Sequence, residues 1–205
     1  MKIGICGGTF DPFHRGHLDP ILSVRDHMQW DRVVYIPAHV QPFKQDRETA
    51  SEHHRFAMAA LATLDDDALA VSAMELERGA VSFTVDTLEE LRGAYRDDTL
   101  DWIIGDDNLG QLLAWRAIGR IFELANFVVL TRGGAAVPPE LQARVASAAD
   151  RPPYGAIVLA ENRTVAVSST EIRRRVRDGE PIEELVPPPV SRYIQHYGLY
   201  RKAQS

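Results

Sequence analysis

The sequence has one cysteine and no long apolar run. With Cys6 as the single cysteine, an internal disulfide is excluded, and nothing implies an oxidising compartment. No stretch approaches the roughly 20 apolar residues of a membrane span, and the N-terminus lacks the basic segment and apolar stretch of an export signal. We therefore expect a soluble, cytoplasmic protein with no membrane partner.

Basic residues are also fewer than acidic residues in this chain. The chain has 23 lysines and arginines against 29 aspartates and glutamates, which gives a formal net charge of −6. This balance argues against a nucleic-acid partner, so any phosphate ligand should be small and held locally. Repeats, low-complexity tracts and linkers are missing too, and the 205 residues are enough for one sizeable core. We expect a single domain over residues 1–205.

Two common nucleotide-binding motifs are absent from the sequence. The segment GICGGT, from Gly4 to Thr9, does not match G-x-G-x-x-G, and no G-x-x-x-x-G-K-[ST] follows any predicted strand. Both hydride transfer and P-loop chemistry are therefore disfavoured.

Short apolar segments alternate with helical patterns along the chain. The candidate strands are residues 3–6, 32–36, 69–72, 100–104, 127–131 and 156–159, and the candidate helices are residues 17–28, 52–64, 84–95, 139–148 and 170–177. This alternation predicts an α/β fold of the Rossmann-like kind, a mainly parallel sheet with helices on both faces. Residues 41–51 and 133–136 are expected to be the most flexible.

The segment after the first candidate strand joins a glycine turn to two histidines. It reads GGTFDPFHRGH from Gly7 to His17, and a helical apolar stripe follows it. Glycine lets the backbone approach an anion closely, and the N–H groups at a helix start favour negative charge. We predict a polyphosphate site here. The spacing of His14 and His17 would also allow zinc, but no third protein ligand is evident.

A second candidate anion site lies near the C-terminus, in the segment VSSTEIRRR that begins at Val167. Ser168 followed three residues later by Glu171 predicts a capping box, so a helix begins here with a basic first turn. Taken alone, the segment is typical of a capped surface helix. Together with the histidine segment, it predicts a second set of phosphate contacts.

These two segments resemble known motifs. The tetrapeptide from His14 to His17 resembles the HxGH signature of nucleotidylyltransferases, and the second segment resembles the ISSTxIR element that members of pyridine-nucleotide synthesis use against ATP. Further pieces match in order over nearly the whole chain, among them SFTVDTL from Ser82, IIGDD from Ile103, and Trp115. Together they resemble the bacterial nicotinate-nucleotide adenylyltransferase family.

The resemblance implies adenylyl transfer from ATP to nicotinate mononucleotide, with Mg²⁺ accompanying ATP and no metal site built by the protein. It implies three catalytic residues: His14, His17 and Arg173. The implied ATP contacts are Gly7, Gly8, Thr9, Phe10, His14, His17, Gly105, Asp107, Ser169, Thr170 and Arg173. The implied mononucleotide contacts are Lys44, Thr84 and Trp115.

The chain departs from the family in one loop, where Phe43 replaces a histidine, so that histidine's phosphate contact does not transfer. Lys44 remains a candidate phosphate ligand, His39 is a candidate donor from the same loop, and Arg55 is a candidate to face the nucleotide. Three alternatives stay open: nicotinamide mononucleotide as acceptor, phosphopantetheine as acceptor, and a nucleotide-binding regulatory module without turnover. The oligomeric state is not predicted.

Overall fold

The computed structural model describes residues 1–40, 49–131 and 136–201. Its strands are β1 (Lys2–Gly8), β2 (Arg32–Pro37), β3 (Leu69–Val71), β4 (Thr99–Gly105), β5 (Asn126–Leu130) and β6 (Ile157–Ala160). Its α-helices are α1 (Arg15–Met28), α2 (Glu52–Thr63), α3 (Met74–Arg78), α4 (Thr84–Ala94), α5 (Ile118–Leu124), α6 (Ser169–Asp178) and α7 (Pro188–Tyr197). Two 3₁₀ helices cover Asp106–Ala114 and Pro139–Arg144.

The strands form one parallel sheet in the order β3-β2-β1-β4-β5-β6. Strands β2 and β3 follow β1 on one side of the sheet. Strands β4, β5 and β6 then follow on the other side of β1. At this reversal the loops after β1 and β4 diverge to opposite faces, which opens a crevice at the carboxyl edge of the sheet. The predicted parallel α/β fold is confirmed.

Side chains of the strands alternate between two apolar layers. On one face, Ile5 of β1 and Trp102 of β4 pack with α4, α5 and the 3₁₀ helix Asp106–Ala114. On the other face, Tyr35 of β2 and Val128 of β5 pack with α1, α2, α6 and α7. The central strands are covered on both sides, which explains their near-continuous apolar sequences. Helices on both faces are therefore confirmed.

The structure differs from the sequence predictions in several helices. Residues 139–148 were predicted to be helical, but the structure has only the 3₁₀ helix Pro139–Arg144. Helix α1 begins at Arg15, ahead of the predicted start at residue 17, because His14 is its N-cap. Helices α3, α5 and α7 were not predicted. Helices α3 and α5 are 5 and 7 residues long and show too few turns for a periodic pattern. None of the helices in the described ranges is long and apolar enough to span a membrane.

Candidate active site

A cavity of about 730 Å³ opens at the carboxyl edge of the sheet, between the loops after β1 and β4. Its lining residues come from both faces of the sheet, and we call the part on the α1 side the α1 lobe and the part on the α4 side the α4 lobe. The wall of the α1 lobe includes Pro20 and Ile21 together with residues of the segment after β6, and the wall of the α4 lobe includes Phe83 and Trp115. Gly7 and Gly8, at the end of β1, also line the cavity. A cavity of this size suits a nucleotide-sized ligand.

The structure brings most of the predicted site residues into the cavity wall. Those in the wall are Gly7, Gly8, Thr9, Phe10, His17, Thr84, Gly105, Asp107, Trp115 and Ser169. His14, Thr170 and Arg173 lie beside the site, outside its wall. Lys44 and most of the two loops predicted to be flexible lie outside the described residues.

Close packing explains two glycines of the histidine segment. A Cβ on Gly8 would lie 2.8 Å from the Phe10 ring, and a Cβ on Gly16 would lie 2.9 Å from Val167 Cγ1 and 3.1 Å from the His14 ring. Phe10 adopts a φ of 53°, in the left-handed region that costs a non-glycine residue free energy. Its buried ring packs edge-on against His17, with the centroids 5.0 Å apart. Close packing of the glycines and Phe10 therefore fixes the backbone of the turn next to His17.

His14 and His17 stack on each other at the start of α1, with ring centroids 3.6 Å apart. The backbone N–H of His14 donates to Nδ1 of His17 at 3.2 Å. A nitrogen that accepts a hydrogen bond carries no proton, so the neutral His17 ring is protonated at Nε2. This tautomer provides an N–H donor for a phosphate oxygen on a side chain that lines the cavity.

Arg173 of α6 reaches back to the histidine segment. Its Nη1 donates to the backbone oxygen of Asp11 at 2.6 Å and lies 3.6 Å from Asp11 Oδ2, while its Nη2 donates to Thr170 Oγ1 at 3.3 Å. Asp11 is buried and also accepts a hydrogen bond from the Tyr200 hydroxyl at 2.7 Å. Arg173 therefore ties α6 to the glycine turn, at the border of the cavity.

Only one half of the predicted capping box forms at α6. Ser168 is the N-cap and its Oγ accepts from the backbone N–H of Glu171 at 3.2 Å. The Glu171 carboxylate instead accepts from Arg174 at 2.9 Å and from Arg175 at 2.8 Å, and these bonds lower its pKa to about 2. Ser169, the first residue of α6, lines the cavity and donates to the Pro12 carbonyl at 3.2 Å.

The α4 lobe joins a helix start to an aromatic ring and a cation. Phe83 is the N-cap of α4, and its carbonyl accepts from the backbone N–H of Asp86 at 3.1 Å. The N–H groups of Thr84 and Val85, at the start of the first turn, have no helix carbonyl before them to bond. Trp115 is half-buried, with its ring edge-on to Phe127. The Arg116 guanidinium lies 4.6 Å from the centre of the Phe83 ring and 3.3 Å from Asp86 Oδ2. These groups suit a flat ring that carries a negative charge.

The sequence analysis missed Glu75 and Arg116 in this lobe. Glu75 is only 3% exposed, and it accepts a hydrogen bond from Thr87 Oγ1 at 2.6 Å. Burial raises the pKa of Glu75 above its ordinary value. Its bond to Thr87 joins α3 to α4, so Glu75 supports the helix start. Because α3 is 5 residues long, no periodic pattern in the sequence marks this carboxyl as buried.

Asp107 occupies the position expected for a ribose contact, two residues beyond the end of β4. A Cβ on Gly105 would lie 2.5 Å from Asp107 Oδ1, so a side chain at residue 105 would displace this carboxylate. The Asn108 side chain donates to the same oxygen at 3.2 Å. The carboxylate is thus oriented at the carboxyl edge of the sheet, where ligands bind in open α/β folds.

Arg55 was a candidate nucleotide contact, but the structure buries it at 2% exposure, away from the cavity wall. Its guanidinium donates to the backbone oxygens of Thr9 at 2.8 Å and Ala38 at 2.7 Å, and burial lowers its pKa. Arg55 therefore stabilises the turn through its backbone carbonyls and does not line the cavity. His39, another candidate donor, has Nδ1 2.6 Å from Glu52 Oε2. Within the described ranges, no group of three or more His, Cys, Asp or Glu residues could hold a metal ion.

Comparison with known proteins agrees with this geometry. Residues 5–175 match the model of the cytidylyltransferase-like family, a class of nucleotidyltransferases. A protein of Thermoanaerobacter sp. (strain X514) is 37% identical, covering 98% of this chain and 95% of the relative. A protein of Roseiflexus sp. (strain RS-1) is 41% identical, covering 97% and 98%. Both are named probable nicotinate-nucleotide adenylyltransferase. The chain belongs to the nicotinate-nucleotide adenylyltransferase family.

A solved structure shows the same fold. The Plasmodium falciparum nicotinic acid mononucleotide adenylyltransferase complexed with NaAD superimposes with a TM-score of 0.73, covering 97% of each chain, at 18% sequence identity. The same enzyme complexed with APC gives a TM-score of 0.72 at 17% identity, covering 97% of this chain and 96% of that one. At these identities the likeness concerns the fold alone.

Proposed function

We propose that this chain transfers the adenylyl group of ATP to nicotinate mononucleotide, producing nicotinate adenine dinucleotide and pyrophosphate in NAD biosynthesis. The observation that carries the proposal is a single cavity that is lined from both faces of the sheet and has the glycine turn and His17 in its wall. One lobe takes the adenine nucleotide and the other takes the pyridine nucleotide. Relatives that are 37% and 41% identical over nearly their whole length support this assignment.

The reaction needs no nucleophile from the protein. A phosphate oxygen of nicotinate mononucleotide attacks the α-phosphorus of ATP in line, and the bond from that phosphorus to the pyrophosphate oxygen breaks. The second pKa of a phosphate monoester is about 6, so the attacking group is already largely anionic at neutral pH. Catalysis therefore depends on positioning and on donors that meet the charge of the transition state.

The proposed roles follow from where the side chains lie. His17 would donate from Nε2 to the reacting phosphates, with His14 stacked against it. Arg173 would contact the distal phosphates through guanidinium N–H groups that are not used on Asp11 and Thr170. Gly7, Gly8, Thr9, Phe10, Gly105, Asp107, Ser169 and Thr170 are retained as proposed ATP contacts. Lys44, Thr84 and Trp115 are retained as proposed contacts of nicotinate mononucleotide.

Magnesium enters this proposal as part of the substrate, Mg²⁺-ATP. The described residues offer no cluster of ligands for a resident ion, and Mg²⁺ commonly binds substrate phosphates and keeps several waters. On ATP it would neutralise phosphate charge. The cytoplasmic location and the lack of a nucleic-acid partner remain predictions.

The α4 lobe favours an acid over an amide. Nicotinate carries a carboxylate, and nicotinamide carries a neutral amide. The first turn of α4 presents N–H donors and the positive end of a helix dipole, and Arg116 adds a cation to the same wall. Trp115 offers a face for either pyridine ring. We therefore expect nicotinate mononucleotide to be preferred.

Product analysis tests the proposal. The purified protein is incubated with Mg²⁺-ATP and with nicotinate mononucleotide, nicotinamide mononucleotide or phosphopantetheine, and each product is identified by mass. We expect the highest kcat/KM with nicotinate mononucleotide. Equal or better use of nicotinamide mononucleotide would overturn the substrate assignment. Absence of pyrophosphate with every acceptor would instead support a binding module.

A variant of the α4 helix start tests the choice of acid directly. Thr84→Pro removes one N–H donor at the first helical position, which tolerates proline, and the extended backbone of Phe83 suits a residue before proline. We expect the preference for the acid to fall by about tenfold, as for one hydrogen bond to a charged group. Thr84→Ala keeps the N–H and is the matched control. An unchanged preference in Thr84→Pro would place the carboxylate elsewhere.

A further inference from the structure

Arg116 places a positive charge over the start of α4. Its guanidinium carbon lies 4.6 Å from the centre of the Phe83 ring, and Phe83 is the N-cap of the helix. Its Nη1 donates to Asp86 Oδ2 at 3.3 Å, and Asp86 belongs to the first turn of the same helix. These two contacts locate the cation beside the helix start, where the N–H groups of Thr84 and Val85 have no helix carbonyl to bond.

The cation is open to a ligand. The side chain of Arg116 is 57% exposed. Arg116, Phe83 and Thr84 line the cavity, whereas Asp86 does not. A guanidinium has five N–H donors, and among the described residues Arg116 uses one of them, on Asp86. The other donors are therefore available to an anion at the helix start.

The two contacts of Arg116 differ in what they leave for such an anion. The attraction to the Phe83 ring holds the guanidinium without using a hydrogen bond. Asp86 holds it by occupying a donor that a ligand carboxylate would otherwise bind. Because this ion pair is exposed, water and salt screen it, and it adds little to the positioning by Phe83. The net effect of Asp86 is therefore competition for the cation.

We propose that the Arg116 guanidinium binds the carboxylate of nicotinate, that Asp86 competes for the same group, and that this pair sets how strongly the acid is preferred over the amide. The inference rests on the proposed function, which places the pyridine nucleotide in the α4 lobe. A guanidinium binds a carboxylate through charge-assisted hydrogen bonds, whereas a neutral carboxamide gains much less from it. The pair therefore acts on the acid and leaves the amide nearly unaffected.

Two single variants test the proposal with effects of opposite sign. We define the acid preference as the kcat/KM for nicotinate mononucleotide divided by that for nicotinamide mononucleotide, a ratio that does not depend on the folded fraction. Arg116→Met keeps an unbranched side chain beside Phe83 and should lower the acid preference about tenfold, as for one hydrogen bond to a charged group. Asp86→Asn should raise it about two- to threefold, the scale of an exposed ion pair.

The double variant tests whether the two residues act on the same group. In Arg116→Met there is no cation to compete for, so adding Asp86→Asn should change the acid preference less than it does in the wild type. Arg120→Met is the matched control, because Arg120 pairs with Glu89 of the same helix at 3.1 Å and lies outside the cavity wall. An unchanged preference in Arg116→Met, or an equal fall in Arg120→Met, would overturn the proposal.

Equilibrium binding separates this proposal from the proposed function. If the wild type makes the dinucleotide and Arg116→Met keeps the wild-type acid preference, the role of Arg116 fails and the function stands. If the wild type transfers no adenylyl group, calorimetric titration of the two mononucleotides replaces kcat/KM. Tighter binding of the acid by the wild type, reduced about tenfold in Arg116→Met, would then support the role of Arg116 without the function. Equal Kd values, or no binding of the acid, would overturn both.

Discussion

At the amino end of the sheet the buried carboxylate of Asp101 has three side-chain partners, whereas at the carboxyl end three buried oxygens receive no hydrogen bond from the described residues. Asp101 is 0% exposed, accepts from Trp30 Nε1 at 2.7 Å and Asn126 Nδ2 at 3.0 Å, and lies 2.9 Å from Arg151 Nη2. The three oxygens of the carboxyl end are Thr9 Oγ1, Asp11 Oδ2 and Asn162 Oδ1.

The difference indicates that the amino end contributes mainly to stability and the carboxyl end mainly to function. A buried polar group without a hydrogen bond costs about 1–3 kcal/mol, and among the described residues the side-chain oxygens that bear this cost lie at the edge where the cavity opens. The paired network at the other end fixes β4, β5 and the turn before β2 in one arrangement. A substitution at either end should therefore change one property and leave the other nearly unchanged.

The largest expected effect is on stability, at the amino end. Asp101→Ala would leave the guanidinium of Arg151, whose side chain is 2% exposed, without its carboxylate. Breaking a buried pair in this way costs about 3–5 kcal/mol, which urea denaturation would measure. Asp26→Ala is the control, because that side chain is 99% exposed. A loss below about 1 kcal/mol, which is the scale of an exposed ion pair, would show that the network contributes little to stability.

The next effect is on rate, at the carboxyl end. His17→Ala should lower kcat/KM about a hundredfold, since one transition-state donor contributes about 3 kcal/mol, and His14→Ala should have a similar effect. Unfolding free energy should change much less. His27→Ala, an exposed histidine of the same helix, should keep full activity. Near-normal turnover by folded His17→Ala would contradict the assigned role.

A smaller effect is expected for Arg173→Ala. The charge-assisted bonds to phosphate that we propose contribute about 1.5 kcal/mol, so ATP binding should weaken about tenfold while nicotinate mononucleotide binding changes little. Calorimetric titrations of the two ligands measure this. The control is Arg177→Ala, an exposed arginine of the same helix. A selective loss of mononucleotide binding would move Arg173 to the other lobe.

The smallest effect concerns Glu75, a buried carboxyl at the carboxyl end. Its pKa is raised above the ordinary 4.5, so between these two values the folded chain keeps a proton that the unfolded chain has lost. Wild-type stability should therefore fall, relative to Glu75→Gln, as pH rises from about 4.5 through the raised pKa. Urea denaturation of both proteins over this window measures the difference. A constant difference would show that Glu75 titrates alike in both states.

The sequence predicted the parts of the molecule that depend on local pattern. Strands buried on both faces appear as apolar runs, and the glycine turn, the histidine pair and the start of α6 each lie within a few consecutive residues. The order of these pieces was enough to predict the chemistry at the carboxyl edge. All six predicted strands are present, with small shifts in their ends.

The rest depends on contacts between distant segments. Arg55 was a candidate to face the nucleotide, but in the fold its guanidinium donates to the backbone carbonyls of Thr9 and Ala38. Glu75 becomes buried through Thr87, in a different helix.

The division of the cavity into two lobes also governs how the reaction ends. A dinucleotide is a bivalent ligand, because one covalent linkage joins the groups that occupy both lobes, and it dissociates only when both halves are released. Each half keeps the other at a high effective concentration near its own lobe. We therefore expect departure of the dinucleotide to be slower than the phosphorus chemistry, so that a rapid first turnover precedes a slower steady state.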